Sequence, residues 1–416
     1  MQKVIFFGTG SDCKKVLEKY PEILSNIIAF VDNNNEKYGY WYCKPIIAPK
    51  EIYKYSYDKV IISSSKYAIS ICIQCITELK IDPNKILDLR KFIQEQIYWG
   101  EIMPRRIVLD VCTLCQLNCT TCPLRISNYG TVKPGYLRAE KFKQLLNDNE
   151  FVKGVEIANN GEAFLNPEMK EILEYAYEKQ VDITVYNGTN FNTVSEEVLD
   201  AIVRTKVKGM TIALDGASQE TYCIYRRNGN FDTVIDNIRK INNYKLKYKS
   251  EFPRLIWQFV LMPHNEHEII EAKKLASKLN MEIKFKLTWD KDYIPKDPEL
   301  IRRETGLKYL SREEVKKKTG KNYMNLCKQL WEFPVINWDG RLLGCCNVYN
   351  KDFGVNVFEI GLKKALNSTE YVNSKKALLG TGGIKSIYNP CAECMSLNSM
   401  QNEGVFLNID DIQIYL

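Results

Sequence analysis

Four cysteines fall within the eleven residues "CTLCQLNCTTC" that begin at Cys112. Cys115, Cys119 and Cys122 among them follow the spacing C-x3-C-x2-C. Soft thiolates spaced this way can wrap a zinc ion or an iron–sulfur cluster. A closed zinc site asks for four ligands, usually in paired C-x2-C units. Three thiolates on a [4Fe–4S] cube instead leave one iron without a protein ligand, open to chelate a substrate or cofactor. The stretch follows a strand-like run, "RIVLDVC". Cys112 faces a different way from the other three if that strand continues through it.

The rest of the chain must position these thiols. Its 416 residues, 45% hydrophobic, predict two or three domains. No apolar run approaches the ~18 residues that span a membrane. The apolar stretch of "MQKVIFFGTG" is too short for a signal-peptide core and runs straight into a turn. These features predict a cytoplasmic protein, whose fourteen cysteines serve metal, catalysis or packing rather than disulfides. A net charge of +7 on 58 basic and 51 acidic side chains makes no electrostatic case for nucleic acid. The basic run "EEVKKKTGK" reads as a solvated helix face.

Three regions differ in pattern. Residues 1–98 open with "KVIFFGTG", continue through the helix-like "SDCKKVLEKY" and reach "IIAFVDNN", which ends at Asp32. Strand, Gly-rich turn, helix, strand and acid in that order predict a small Rossmann-like α/β domain. Its fingerprint is incomplete, because Cys13 stands where a third glycine belongs. Both a nucleotide site and a retained scaffold or docking domain fit it. Residues 105–305 alternate six strand-like runs ("RIVLDVC", "GVEIANN", "DITVYNG", "GMTIALDG", "RLIWQFVLM", "MEIKFKLT") with amphipathic helices, for which Asn166, Ser195 and Asn265 are plausible caps. That rhythm predicts a parallel sheet with right-handed crossovers, closing as a partial (β/α)6 barrel. Its site belongs at the C-terminal ends of the strands. Residues 306–416 lack the rhythm and predict a small α+β domain.

Over roughly Arg105–Thr288 the sequence resembles the radical S-adenosylmethionine (SAM) enzymes. In that family the open iron binds the amino and carboxylate groups of SAM, and electron transfer releases a 5′-deoxyadenosyl radical. "NNGEAFLNPEM" resembles the family's Gly-Gly-Glu-Pro segment, with Asn160 and Ala163 departing from it. The resemblance implies cofactor contacts from Asn160, Gly161 and Glu162, the last at the amino group. "YNGT" resembles the turn after the third strand and makes Asn187 a ribose or carboxylate contact. "ALDGASQETYCIYRRNGNF" implies that Asp215 and Arg226 belong to the site, with Arg226 on the methionine carboxylate. A planar guanidinium suits a carboxylate because it donates two parallel hydrogen bonds. Capping a helix, for Glu162, and the surface, for Arg226, are the plainer alternatives.

Cys327, Cys345 and the pair Cys391-x2-Cys394 resemble the first part of the SPASM auxiliary-cluster domain, shortened to its "twitch" form. This implies a second [4Fe–4S] cluster, with all four irons bound by these thiols. Zinc on the same four cysteines is the alternative. An electron-donating reductase or flavodoxin-type partner is implied with it.

Such an enzyme abstracts a carbon-bound hydrogen, chemistry supplied by the cofactor. Oxidation of the substrate then needs a base, and the only histidines, His264 and His267, lie just past the fifth strand. Epimerisation needs a hydrogen donor, for which Cys112, Cys223 and Cys346 are the thiols near the motifs. Each doubles as a small buried hydrophobe. The first region resembles the nucleotide-fold domain found before bacterial sugar acyltransferases, which favours a carbohydrate, cyclitol or nucleotide-linked sugar as substrate. The alternatives are a maturase acting on a ribosomally made peptide and a non-catalytic iron–sulfur carrier or sensor.

Overall fold

The protein is described from a computed structural model. The description covers residues 2–98, 100, 102–128, 130, 132–288, 290, 294–320, 327–345, 351–381 and 390–407. The chain folds as two compact units that divide between Met103 and Pro104.

In the first unit, β1 (Val4–Phe7), α1 (Ser11–Lys19), β2 (Ile27–Val31), β3 (Gly39–Trp41), β4 (Lys44–Ile47), β5 (Lys59–Ile62), α2 (Ala68–Thr77), β6 (Ile86–Asp88) and α3 (Leu89–Tyr98) follow in order. The strands form one sheet, ordered β3-β4-β2-β1-β5-β6, in which only the β3–β4 pair is antiparallel. Successive residues of β1 feed opposite cores. Val4 and Phe6 pack with α1 and α3, while Ile5 and Phe7 face the core containing Ile71 and Cys75 of α2. A strand buried on both faces reads as a continuous apolar run, which explains "VIFF". This is the expected Rossmann-like layout with a hairpin on its edge. Cys13 is fully buried in the core. The carboxylate of Asp32 accepts bonds from Thr9 N (3.0 Å), Asn34 N (2.9 Å) and Lys37 Nζ (3.0 Å). The acid that a dinucleotide fold offers to a ribose is therefore engaged by its own domain.

The second unit begins with β7 (Arg106–Leu109), α4 (Pro123–Ile126), α5 (Ala139–Asp148), β8 (Gly154–Glu156), α6 (Met169–Glu178), β9 (Asp182–Thr189), α7 (Glu196–Arg204) and β10 (Gly209–Ala213). It continues with α8 (Gln219–Tyr225), α9 (Phe231–Tyr248), β11 (Arg254–Leu261), α10 (Ile269–Lys278) and β12 (Glu282–Leu287). All six expected strands form, each paired in parallel with its neighbour in chain order. Ser195 caps α7 by accepting from Val198 N at 3.3 Å. Asn265 caps nothing. Its amide instead donates to Asp215 O (3.1 Å) and Val260 O (2.9 Å), tying together the ends of two strands.

The remaining elements are α11 (Pro298–Thr305), α12 (Arg312–Thr319), α13 (Gln329–Glu332), β13 (Val335–Ile336), α14 (Val357–Ile360), α15 (Leu362–Leu366), α16 (Thr369–Leu378) and α17 (Met395–Glu403). α12, the basic run, buries no residue. β13 departs from the six-strand expectation. It joins the barrel's sheet as a seventh strand, parallel to β7, with Val335 opposite Val108 and Ile336 opposite Leu109. The C-terminal region thus shares a sheet and a core with the barrel, through Val108, Leu124, Val132, Val335 and Leu343. No helix of the described residues is long and apolar enough to cross a membrane.

Candidate functional site

The loop that leaves β7 carries the three spaced thiols to the C-terminal end of the sheet. Cys115, Cys119 and Cys122 line one cavity of about 210 Å³ with Gly161, Asn187 and Arg226. The loop is tied down on several sides. Arg125 Nη2 donates to Cys115 O at 3.0 Å and Leu117 O at 2.8 Å, and Asn118 N donates to Arg227 O at 3.0 Å. Cys122 opens α4, with Pro123 at its first position, where a missing N–H costs nothing.

Two donors point at sulfur. Asn190 Nδ2 lies 3.6 Å from Cys115 Sγ, and Arg226 Nη1 lies 3.7 Å from Cys119 Sγ. Burial pushes the Cys115 thiol up to about 12 and raises Cys119 as well, while the Arg226 charge pulls Cys119 back. A thiol in such surroundings keeps its proton until a metal displaces it. Among the described residues no three His, Cys, Asp or Glu side chains converge as on one metal ion. A cube does not require that convergence, because each thiolate takes its own iron. Three soft ligands on one cavity wall, with donors aimed at two of them, fit an iron–sulfur cluster.

The opposite wall comes from the turn after β8. Gly161 has φ +75°, and a Cβ there would stand 2.4 Å from the backbone carbon of Thr113. Only glycine lets the turn lie against the loop that carries the cysteines. Asn160 donates from both N and Nδ2 to Asp110, each at 2.8 Å. Asp110 is fully buried, and desolvation raises its carboxyl to about 6 despite those bonds. Glu162 lines the same cavity and is also engaged by the fold. Its carboxylate, 1% exposed, accepts from Thr189 Oγ1 at 2.5 Å, Asn190 N at 2.6 Å and Phe164 N at 3.3 Å. It caps a short helix and clamps the end of β9 to the β8 turn, so a ligand reaching it shares those bonds. Burial raises its carboxyl above the ordinary value.

Asn187 lines the cavity from β9, where Glu156 accepts from its backbone N–H at 3.2 Å. Arg226 Nε donates to Asp215 Oδ2 at 2.7 Å, and Val260 N donates to Asp215 Oδ1 at 2.8 Å. Asp215 is fully buried behind the arginine and does not line the cavity. It orients Arg226, whose other face lies 5.1 Å from the Tyr225 ring centroid. Cys112 and Cys223 do not line the cavity either. Cys112 is buried in a bridge to Tyr136, and Cys223 Sγ lies against Glu220 O on α8. Cys346 lies outside the described residues.

Sequence reasoning missed Asn190, Gln116 and Asp110. Gln116 Nε2 donates to Asn190 Oδ1 at 2.9 Å, so the amide that faces Cys115 is itself held. Gln116 sits inside the cysteine motif and was open to suspicion. Asn190 follows the "YNGT" segment by one residue.

In the C-terminal region, Cys391 is buried, and burial pushes its thiol up to about 12, with Cys327 and Cys394 adding to the shift. Tyr371 is fully buried and held well above its ordinary value by burial and by Cys391, Cys327 and Cys345. The four thiols predicted as a set thus share one environment around Tyr371 and Cys391. Cys394 opens α17, its N–H donating to Cys391 O at 3.1 Å.

Three sequence families match in sequence order: "C2185-like, N-terminal" over residues 1–87, the radical SAM superfamily over 110–276, and the SPASM "iron-sulfur cluster-binding domain" over 327–395. Among characterised relatives, the mycofactocin maturase MftC of Mycobacterium tuberculosis is 25% identical over 148 residues, which are 35% of this chain and 37% of that protein. The antilisterial bacteriocin subtilosin biosynthesis protein AlbA of Bacillus subtilis is 29% identical over 164 residues, 38% of this chain and 35% of that protein. The matches span little more than a third of those relatives' length. In three dimensions the chain is similar to SuiB of Streptococcus suis bound to S-adenosylmethionine, with a TM-score of 0.53 at 14% identity over 80% of this chain and 83% of that one. SuiB bound to its precursor peptide SuiA gives 0.52. At that identity the likeness speaks for the fold. The two iron–sulfur domains make [4Fe–4S] clusters and SAM the cofactors. The cysteine loop and strands β8 to β11 fall in one matched segment and the C-terminal thiols in another, so the chain carries a radical S-adenosylmethionine domain followed by a SPASM domain.

Proposed function

We propose that this protein cleaves S-adenosylmethionine to abstract a carbon-bound hydrogen from a peptide substrate, as a maturase. The observation that carries the peptide reading is sequence likeness to one protein named a maturase and another named for bacteriocin biosynthesis. That likeness supports a peptide better than the carbohydrate suggested by the first domain. Cys115, Cys119 and Cys122 hold the first cluster, and Cys327, Cys345, Cys391 and Cys394 the second. When bound, the first cluster and SAM supply the one-electron chemistry that no side chain can.

The chain's own residues bind and orient. Arg226, aimed by Asp215, offers its remaining N–H groups to the methionine carboxylate. The Asn160–Gly161 backbone and Asn187 receive the rest of the cofactor, and Glu162 keeps their turns in register. Cys112 and Cys223 stand away from the cavity, which speaks against either of these two as the donor thiol of an epimerisation.

Anaerobic reconstitution is expected to load about eight irons, and the Cys115→Ala/Cys119→Ala/Cys122→Ala variant about four, with loss of 5′-deoxyadenosine formation. Four irons and one zinc in the wild type would reassign the second site. For the substrate, co-expression with any short peptide encoded next to its gene is followed by mass spectrometry. A peptide two hydrogens lighter is expected. Turnover of a nucleotide-linked sugar with every peptide unchanged would sink the maturase reading. Deuterium gained from solvent at one carbon, with no hydrogen lost, would replace oxidation by epimerisation.

A further inference from the structure

α16 turns Tyr371, Ser374 and Lys375 into the protein from one face, since residues three and four apart on a helix are neighbours. All three are buried, with Lys375 only 8% exposed. Ser374 hydrogen-bonds with Cys391. The Tyr371 hydroxyl donates to Leu330 O at 2.8 Å, its ring packs on Phe353 at 4.8 Å, and three thiols of the C-terminal set act on it. Lys375 Nζ lies 5.3 Å from the Tyr371 ring centroid and 5.6 Å from that of Trp331.

A buried lysine normally has a carboxylate beside it. Among the described residues no carboxylate reaches Lys375 within 4.0 Å. Two aromatic faces offer part of the stabilisation an ammonium needs, and no ion pair among the described residues supplies the rest. Without it, burial alone lowers the lysine to about 8. A cube ligated by four thiolates is an anion, and the neighbours of Lys375 on this face reach its ligands, Ser374 by a bond to Cys391 and Tyr371 by the ring over which Nζ lies. Charges in a dry interior act on one another with little screening.

We infer that Lys375 is the counter-charge of the auxiliary cluster and sets its reduction potential upward. This rests on the four-cysteine ligand set proposed above. A fixed positive charge favours the reduced, more negative state of a cluster, as do other groups around its sulfurs. Lys375 is a positioning residue in this role and touches no substrate.

The test uses full-length protein carrying Cys115→Ala, Cys119→Ala and Cys122→Ala, so that only the auxiliary cluster contributes. Its potential is measured by spin-resonance-monitored titration with Lys375, Lys375→Met and Lys375→Arg. Methionine fills the same apolar space without charge, so the variant is expected to keep its iron and titrate at a lower potential. Arginine is expected to return the potential toward that of the lysine protein. Equal potentials for Lys375 and Lys375→Met at full iron would overturn the inference and leave the ligand set standing. Absence of iron from the protein that retains Lys375 would overturn the ligand set, and the inference with it.

Discussion

Gly161 and Asp110 show how little freedom the residues behind the cavity have. A methyl group at position 161 would meet the Thr113 backbone, which cannot rotate away as a side chain would. Gly161→Ala is therefore expected to cost about 1–3 kcal/mol and to weaken SAM binding, read by thermal melting and equilibrium dialysis. An unchanged melting temperature would show that the turn relaxes. Asp110 predicts a pH dependence. Its folded value of about 6 lies above the ordinary 3.8, so between these values the folded chain holds a proton that the unfolded chain has lost. Stability should fall as pH climbs from 4 to 6, by about 3 kcal/mol, and this component should be flat above. Urea melts of metal-free protein check it, with Asp110→Asn expected to lack the slope. The three clustered cysteines were legible in sequence because their spacing is local. Asp110, Asn190 and the clamp on Glu162 from β9 were not, because their partners lie 27 to 75 residues away and only the sheet brings them together.

Strands announced themselves unevenly. Most of the barrel's strands were readable because strands covered on both faces need continuous apolar sequence, and β12 because exposed Glu282, Lys284 and Lys286 alternate with Ile283, Phe285 and Leu287. β3 and β4 were not, since β3 is three residues long and largely exposed, and Pro45 interrupts the half-buried β4. β13 was invisible as a barrel strand: two residues carry no periodicity, and its partner β7 lies far back in the chain. Around it, Asn337 Nδ2 donates to Val132 O at 2.8 Å and Trp338 Nε1 to Lys133 O at 3.1 Å. These bonds hold the segment that follows the first cysteine set. Asn337→Leu is expected to destabilise by about 1–3 kcal/mol by removing the Val132 donor. Hydrogen exchange should quicken at the amides of Val108 and Asp110, which donate to Pro334 O and Ile336 O at 2.9 Å. Unaltered exchange there would mean that β13 stays paired without its anchor.

For the molecule as a whole, the division between Met103 and Pro104 predicts separable tasks. Every residue assigned to cofactor or cluster lies in the second unit. Removing residues 1–98 is expected to leave dithionite-driven 5′-deoxyadenosine formation within about twofold, measured on soluble, iron-replete protein. Loss of that activity would mean that the first unit completes the cofactor site. The pairing of β7 with β13 also has a meaning on the ribosome. β7 emerges early, and its outer edge waits for a partner until Val335 and Ile336 have been made. Unpaired strand edges invite aggregation and proteolysis. A product broken off just before Val335 holds all three cysteines of the first set and only Cys327 of the second, on a sheet whose β7 edge is left unpaired. Such fragments offer that open edge to proteases, so the pairing of β13 with β7 doubles as a mark that synthesis has passed Ile336.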